Sequence, residues 1–292
     1  MLAVDIGGTK LASGLVAGDG TLLVDAQVAT PDSTDAETVF AALTSVIGRV
    51  TSAAVTPPEF CGVGCGGPMT AGGALVSPLN IKAWADFPLH DRLVTEVGLG
   101  VAVENDAKAL ALGEGWLGAA QGTSNYVAMV VSTGVGGGIV LDGRLLDGAQ
   151  GNAGHIGHVV VEPDGRPCVC GGRGCLEAEA SGLAIESITG SAPVHAPDAV
   201  RRRTGTLVGR AVASVANLLD LELAVVAGSV ALGFGAAFFD AAQEEIELRS
   251  RLDFSRDTRI IPAGLGAAGP LVGAAAVGRR ALTSLGADRG SR

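Results

Sequence analysis

Two short segments of the 292-residue chain have the residue types and spacing to grip a phosphate. Asp5-Ile-Gly-Gly-Thr-Lys10 lies between two apolar stretches. Gly7 and Gly8 can turn the chain so that backbone N–H groups converge on phosphate oxygens, Thr9 adds a hydroxyl donor, and Asp5 at a strand end can hold a hydrated Mg²⁺. A plain tight hairpin would use the same residues. Ser132-Thr-Gly-Val-Gly-Gly-Gly138 repeats the pattern in the second half of the chain. Two glycine/threonine turns at equivalent places can hold a polyphosphate from both sides of a cleft, so the pair points to a nucleotide. Neither is a Walker A loop, which needs a strand-to-helix turn, nor a dinucleotide-binding fingerprint.

Two further clusters could carry chemistry. Asn105-Asp106 follows an apolar strand and opens a helix. A carboxylate there can hold an acceptor hydroxyl in line for phosphoryl transfer, or it can simply cap the helix, since Asn and Asp are favoured caps. His158, Cys168, Cys170 and Cys175 place one imidazole and three thiols within a short span. That donor set suits a closed tetrahedral zinc site with no open position for catalysis, a structural Zn²⁺ tying down an irregular loop. An odd cysteine count, five, argues against a disulfide framework. Cys61 and Cys65 fall on one face of a strand and read as small buried hydrophobes.

The elements that must position these groups follow from periodicity. A β-meander is expected at Leu2–Ile6, Leu11–Ala17 and Thr21–Ala29, then a helix over Ala36–Ala53 with cap residues in Pro31–Asp35. Strands at Cys61–Cys65 and Val101–Glu104 lead to a helix ending at Leu117. The second half starts alike: a strand at Asn125–Ser132, a glycine turn at Thr133–Gly138, and a returning strand at Ile139–Leu141 with Asp142-Gly143 as its hairpin. A weak internal duplication is the natural inference. After an irregular insertion over Gly148–Cys175 come a helix at Leu207–Leu219, a strand at Ala224–Ala227, a helix at Phe234–Leu248, a strand at Arg259–Ala263 and a small-residue helix over Gly269–Leu285. The tail Gly286–Arg292 is expected to fray.

Composition limits the alternatives. Glycine fills 45 positions, yet there is no collagen period and 48% of the chain is hydrophobic, so the glycines belong to a packed fold. A formal charge of -10 disfavours a general nucleic-acid or anionic-membrane surface. Mean hydropathy is +0.42, but every long uncharged run is broken by glycine, proline or polar residues, and no basic, apolar leader opens the chain. The expectation is a cytoplasmic protein with no nucleic-acid or membrane partner.

Six ordered motifs together resemble the sugar kinases of the ROK family (repressors, open reading frames and kinases) within the actin-like ATPase superfamily: Asp5–Lys10, Glu104–Ala107, Ser132–Gly138, Gly154–His158, Cys168–Glu177 and Val226–Ser229. The resemblance implies an α/β fold of two actin-like (ribonuclease H-like) domains with ATP and sugar in the cleft between them and a zinc-stabilised loop. It divides the chain into 1–117, completed by a helix at about 270–285, and 118–269, with the zinc loop at 148–177. It makes Asp106 the catalytic base, with Asn80, Asn105, Asp106, His155, His158 and Glu177 around the sugar. Asp5, Gly7, Gly8, Thr9, Lys10, Thr133, Gly134, Gly136, Gly137, Gly138, Gly228 and Ser229 fall to ATP and Mg²⁺, and His158 doubles as a zinc ligand. Most glucokinase-type members have Glu where this chain has His155, and an imidazole offers a donor as well as an acceptor. Bacterial N-acetylmannosamine kinases share Gly-His-Ile-Gly-His, which tilts the expected substrate toward N-acetylmannosamine, with glucose as the alternative. The family also contains sugar-responsive regulators, but with the first strand expected at Leu2 no helix-turn-helix is expected ahead of it. A homo-oligomer, dimer or tetramer, is expected from the family habit.

Overall fold

The computed structural model describes residues 1–290, and side chains through Leu285. The expected frayed tail, Gly286–Arg292, therefore lies outside the described residues except for its backbone to Gly290, which continues the last helix. Two compact units result: residues 1–117, 147–152 and 265–292 form unit 1, and residues 118–146 and 153–264 form unit 2.

Unit 1 is built on a five-stranded sheet of order β3-β2-β1-β4-β5, with β1 Leu2–Ile6, β2 Lys10–Val16, β3 Leu22–Ala29, β4 Phe60–Cys65 and β5 Gly100–Asn105. β1 pairs antiparallel with β2 and parallel with β4. Its alternation explains the layers. Leu2, Val4 and Ile6 enter a core with Leu43, Ile47, Leu89 and Leu93 from α1 (Ala36–Ser52) and α2 (Leu89–Val97). Ala3 turns to the other face, where Leu271, Ala274 and Ala275 of the last helix, α9 (Gly269–Gly290), lie against it. Small residues on both sides let this helix come close. α3 (Asp106–Leu117) packs beside it. Asp35 caps α1, accepting from the Glu37 and Thr38 N–H groups at 3.3 and 3.0 Å.

Unit 2 repeats this topology. Its sheet runs β10-β9-β6-β7-β8, with β6 Tyr126–Val131, β7 Val135–Leu141, β8 Arg144–Leu145, β9 Leu223–Ala227 and β10 Arg259–Pro262. Strand for strand, β6 to β10 correspond to β1 to β5: a central strand flanked by an antiparallel and a parallel neighbour. The duplication inferred from sequence is thus a duplication of sheet order. Helices α4 (Leu176–Ala180), α5 (Gly182–Thr189), α6 (Asp198–Leu219), α7 (Ser229–Phe234) and α8 (Ala236–Arg249) complete the unit.

Several elements differ from expectation. β7 begins at Val135, so the turn is only Ser132–Gly134, and Gly136, Gly137 and Gly138 are strand residues paired with Val130, Met129 and Ala128. The helix expected over Phe234–Leu248 is α8, Ala236–Arg249, and a short helix that was not expected, α7, precedes it, the two being separated at Gly235, which adopts φ 58°, ψ -139°. α6 starts nine residues earlier than Leu207 because Arg202 and Arg203 support its polar first turns through ion pairs to Glu244 and Glu179. Among the described residues no helix is long and apolar enough to cross a membrane.

α6 and α8 are in close contact because Gly205 and Gly209 present no side chain: a Cβ at either would run into the carbonyl of Phe238 or Ala242. Gly48, exposed in α1, has open space where a Cβ would stand. Gly209→Ala should therefore lower stability by about 2 kcal/mol through forced separation of the helices, whereas Gly48→Ala should raise it by about 0.5–1 kcal/mol. Urea denaturation of both variants checks the pair; equal and opposite signs to these would refute the packing.

Candidate functional site

The groups singled out in unit 1 gather at the carboxyl ends of three parallel strands. The register aligns Asp5 with Gly64 and Glu104, and Ile6 with Cys65 and Asn105. Gly64, having no side chain, leaves room between Asp5 and the start of α3: a Cβ there would stand 3.9 Å from Asp5 Oδ1 and 3.8 Å from Asp106 Cα. Burial, with the Asp106 carboxylate as a second cause and Lys10 opposing, pushes the Asp5 carboxyl up to about 6. Gly7 N–H closes the first turn on Lys10 O at 3.0 Å, and Thr30 at the end of β3 pins it, its hydroxyl on Gly7 O at 2.6 Å and its N–H on Thr9 O at 3.1 Å. Gly8, Thr9 and Lys10 are exposed. Gly8 lies directly against Asn80, whose side chain a Cβ would overlap, and Gly67 against the Asn105 amide. Asp5, Gly8, Asn80, Asn105 and Asp106 therefore share one edge.

Asn105 Oδ1 and Asp106 Oδ1 accept from the same Ala107 N–H at 3.0 and 2.8 Å, so they cap α3, and Asp106 is nevertheless exposed. Behind them lies a charge network that the motif reading missed. Lys108, only 1% exposed, reaches Glu104 at 3.0 Å, Asp147 at 3.2 Å and Gly151 O at 3.0 Å. Glu104 also accepts the Asn105 N–H at 3.0 Å, and Arg280 of α9 closes the network on Asp147 at 2.5 Å. The signal available in the sequence was the i, i+4 spacing of Glu104 and Lys108; the distant partners left none.

In unit 2 the second turn occupies the equivalent end of β6. Ser132 N–H bonds Gly134 O at 2.9 Å, and Ser132 Oγ lies 2.9 Å from Ser229 Oγ. Gly228, at φ 103°, passes so near the Val131 carbonyl that only glycine fits. Beside Thr133 and Ser229 opens a cavity of 330 Å³ walled by Leu183, Pro193, Val194 and Phe234, with Glu186 on its rim. Gly136, Gly137 and Gly138 run away along β7, so Thr133, Gly134, Gly228 and Ser229 are the grouped members of the expected set. Glu177 Oε2 accepts the Val135 N–H at 2.9 Å. His155 is exposed and its ring centre lies 6.2 Å from that of His158.

The donor atoms of His158, Cys168, Cys170 and Cys175 all lie within 4.8 Å of one another. His158 Nδ1 stands 3.6 Å from Cys168 Sγ, and Cys170 Sγ 3.7 Å from Cys175 Sγ. A tetrahedron with metal–sulfur bonds of about 2.3 Å has edges near 3.8 Å, so these two separations match a zinc site. Ion pairs brace the loop: Glu179, 1% exposed, holds Arg166 at 2.8 Å and Arg203 at 2.7 Å, and Glu162 holds Arg210 at 2.6 Å. Cys61 and Cys65 are buried and unpaired, as their strand positions implied.

A fold of two mixed sheets with matching strand order, a glycine turn at each central strand and a His/Cys₃ quartet defines a sugar-kinase-like class within the actin-like ATPases. A sequence model of the ROK family matches residues 1–281, and the chain belongs to that family. It is 38% identical over 253 residues to an N-acetylmannosamine kinase of Yersinia pseudotuberculosis, covering 80% of this chain and 84% of that one. It is 41% identical over 187 residues to a glucokinase of Thermotoga maritima, an alignment spanning 63% of this chain and 58% of that protein. Among solved structures, a ROK family glucokinase from Streptomyces griseus in complex with glucose and AMPPNP superposes with a TM-score of 0.82 at 31% identity, over 96% of this chain and 99% of that one. The chain is a ROK sugar kinase with the family's two-domain fold and a Cys/His cluster consistent with its zinc site.

The raised Asp5 carboxyl has a consequence for stability. Between the ordinary value of 3.8 and about 6 the folded protein keeps a proton that the unfolded chain releases; above 6 both are ionised and the burial penalty is complete. Asp5→Asn should thus raise stability by about 1–3 kcal/mol at pH 8 and change it little at pH 4. Thermal melts across that range check it; a stabilisation independent of pH would show that burial of the charge is not its cause.

Proposed function

We propose that the protein is an ATP-dependent kinase that phosphorylates the 6-hydroxyl of a hexose or N-acylhexosamine, with N-acetylmannosamine the favoured acceptor. The observation that carries the reading is the exposed Asp106 at the start of α3, next to Asn105 and on the same strand-end edge as Asp5 and Asn80. Phosphoryl transfer to an alcohol needs a positioned hydroxyl, a proton acceptor and neutralisation of phosphate charge. Asp106 accepts the hydroxyl proton, while Asn80, Asn105, His155, His158 and Glu177 read the remaining hydroxyls. Asp5 holds Mg²⁺, and Gly7, Gly8, Thr9 and Lys10 with Thr133 and Gly134 hold the phosphates. The nucleotide base enters the cavity between Leu183, Val194 and Phe234, and Gly228 and Ser229 lie along its path. His158, Cys168, Cys170 and Cys175 hold one structural zinc, a closed site that supplies rigidity and no reaction step.

For the acceptor, the relative named N-acetylmannosamine kinase aligns over most of both chains. His155 can donate to an acyl oxygen, which a carboxylate at that position cannot do. A specific observation favours a second reading, glucokinase: the relative of that name is slightly more identical over its shorter alignment.

A coupled ADP-release assay with glucose, mannose, N-acetylglucosamine and N-acetylmannosamine decides between them. The highest kcat/KM is expected for N-acetylmannosamine, and a preference for glucose would move the assignment to glucokinase. No ADP release with any of the four sugars would reject the kinase reading. Asp106→Asn should lower kcat by at least about 100-fold with sugar affinity little changed; near-normal turnover in that variant would leave Asp106 a helix cap only.

A further inference from the structure

The second glycine turn is clamped between two chain segments, and each segment carries a ligand of the His/Cys₃ quartet. On one side run Gly154–His158. Gly157 is pressed against the Val135 carbonyl, Gly154 faces the Gly137 carbonyl, and a Cβ at Gly137 would stand 2.8 Å from Ile156. This segment ends on His158. On the other side run Cys175–Leu183. Glu177 Oε2 accepts the Val135 N–H at 2.9 Å, Gly182 N–H donates to Ser132 O at 2.7 Å, and Leu183 N–H to Thr133 O at 3.4 Å. This segment begins at Cys175. The two sides meet directly, with Leu176 N–H on Val159 O at 2.9 Å and a bridge between Val160 and Cys175.

We propose that metal occupancy of the quartet sets the affinity of the turn Ser132–Gly134 for a nucleotide's phosphates, with Glu177 as the positioning residue that carries the constraint. This rests on the kinase reading of the turn. A turn of three residues binds an anion well only if its N–H groups are already aimed; otherwise binding must supply the ordering. The quartet joins the two clamping segments at His158, which closes the Gly154–His158 strap, and at Cys175, two residues from Glu177. With the metal removed, the segments that end in His158 and begin at Cys175 are joined only by Leu176 N–H on Val159 O and the Val160–Cys175 bridge. The Glu177 carboxylate then loses its fixed place on Val135 N–H, and from the Cys175–Leu183 side the turn keeps only the Gly182 and Leu183 N–H groups.

The test is direct binding of AMPPNP, by calorimetry in the absence of any sugar, so that sugar contacts do not enter. Zinc-loaded protein is compared with chelator-stripped protein and with zinc-loaded Glu177→Ala and Glu177→Gln variants, the zinc content of each being measured. Stripping, and Glu177→Ala with zinc retained, should each weaken binding about tenfold or more. Glu177→Gln keeps an acceptor oxygen for Val135 N–H and should bind within about threefold of the parent, or tighter. Unchanged affinity in Glu177→Ala overturns the proposal, including the case in which the stripped protein unfolds. So does failure of Glu177→Gln to restore binding. Hydrogen exchange supplies the second readout: residues 131–135 should lose protection on stripping while β9 keeps its own, and an equal loss throughout unit 2 would make the metal a general staple only. Failure of the zinc-loaded parent to bind AMPPNP at all would sink the kinase reading instead.

Discussion

The structure depends on one topological constraint applied twice. In each sheet the central strand, β1 or β6, has an antiparallel neighbour on one side and a parallel neighbour on the other. At its carboxyl end the chain turns tightly back toward the antiparallel partner, while the parallel partner's connection departs the opposite way. Ligands in open α/β sheets bind outside such carboxyl ends, where neighbouring connections diverge. The glycine turns at Gly7–Lys10 and Ser132–Gly134 fall at that point, and the parallel strands then deliver Asn105-Asp106 in one unit and Gly228-Ser229 in the other. Register does the rest, because a slip of one residue would send Asp5 into the apolar face occupied by Val4 and Ile6.

What was legible in the sequence had a local signature. The meander, the Asp35 cap, the Asp142-Gly143 hairpin and the cysteine spacing each involve residues a few positions apart. The duplication was visible as two strand–turn–strand units and became a shared strand order in the fold. The illegible features join distant residues. Thr30 pins a turn 23 positions earlier, Arg280 answers Asp147 across 133 positions, and Glu177 reaches Val135 across 42. Polar helix starts such as that of α6 were equally silent, because ion pairs to Glu179 and Glu244 rather than an apolar stripe sustain them.

The glycine excess divides along the same line. Turns account for Gly7, Gly8 and Gly134, and tight packing for others that no turn signal marks. Gly137 lies in a strand so that the Gly154–His158 strap can press on it, and Gly205 and Gly209 let α6 meet α8. Gly266 and Gly269 have no neighbour as near. Periodicity locates a helix, but it does not say which backbone the helix will touch.

On the proposed kinase reading, a chain of net charge -10 has to make the positive potential that a polyphosphate needs locally. Backbone N–H groups in the turns supply part of it, and Lys10 adds a cation to the first. The Asp5–Asp106 pair works in the opposite direction: two carboxylates close enough to raise Asp5 repel an incoming phosphate as well as each other. Under the proposed function, a divalent cation held at Asp5 would remove both repulsions, since it would stabilise the ionised Asp5 that burial penalises. On the proposed kinase reading, the burial that costs Asp5 stability is also what favours a metal–nucleotide complex over the bare nucleotide at this edge.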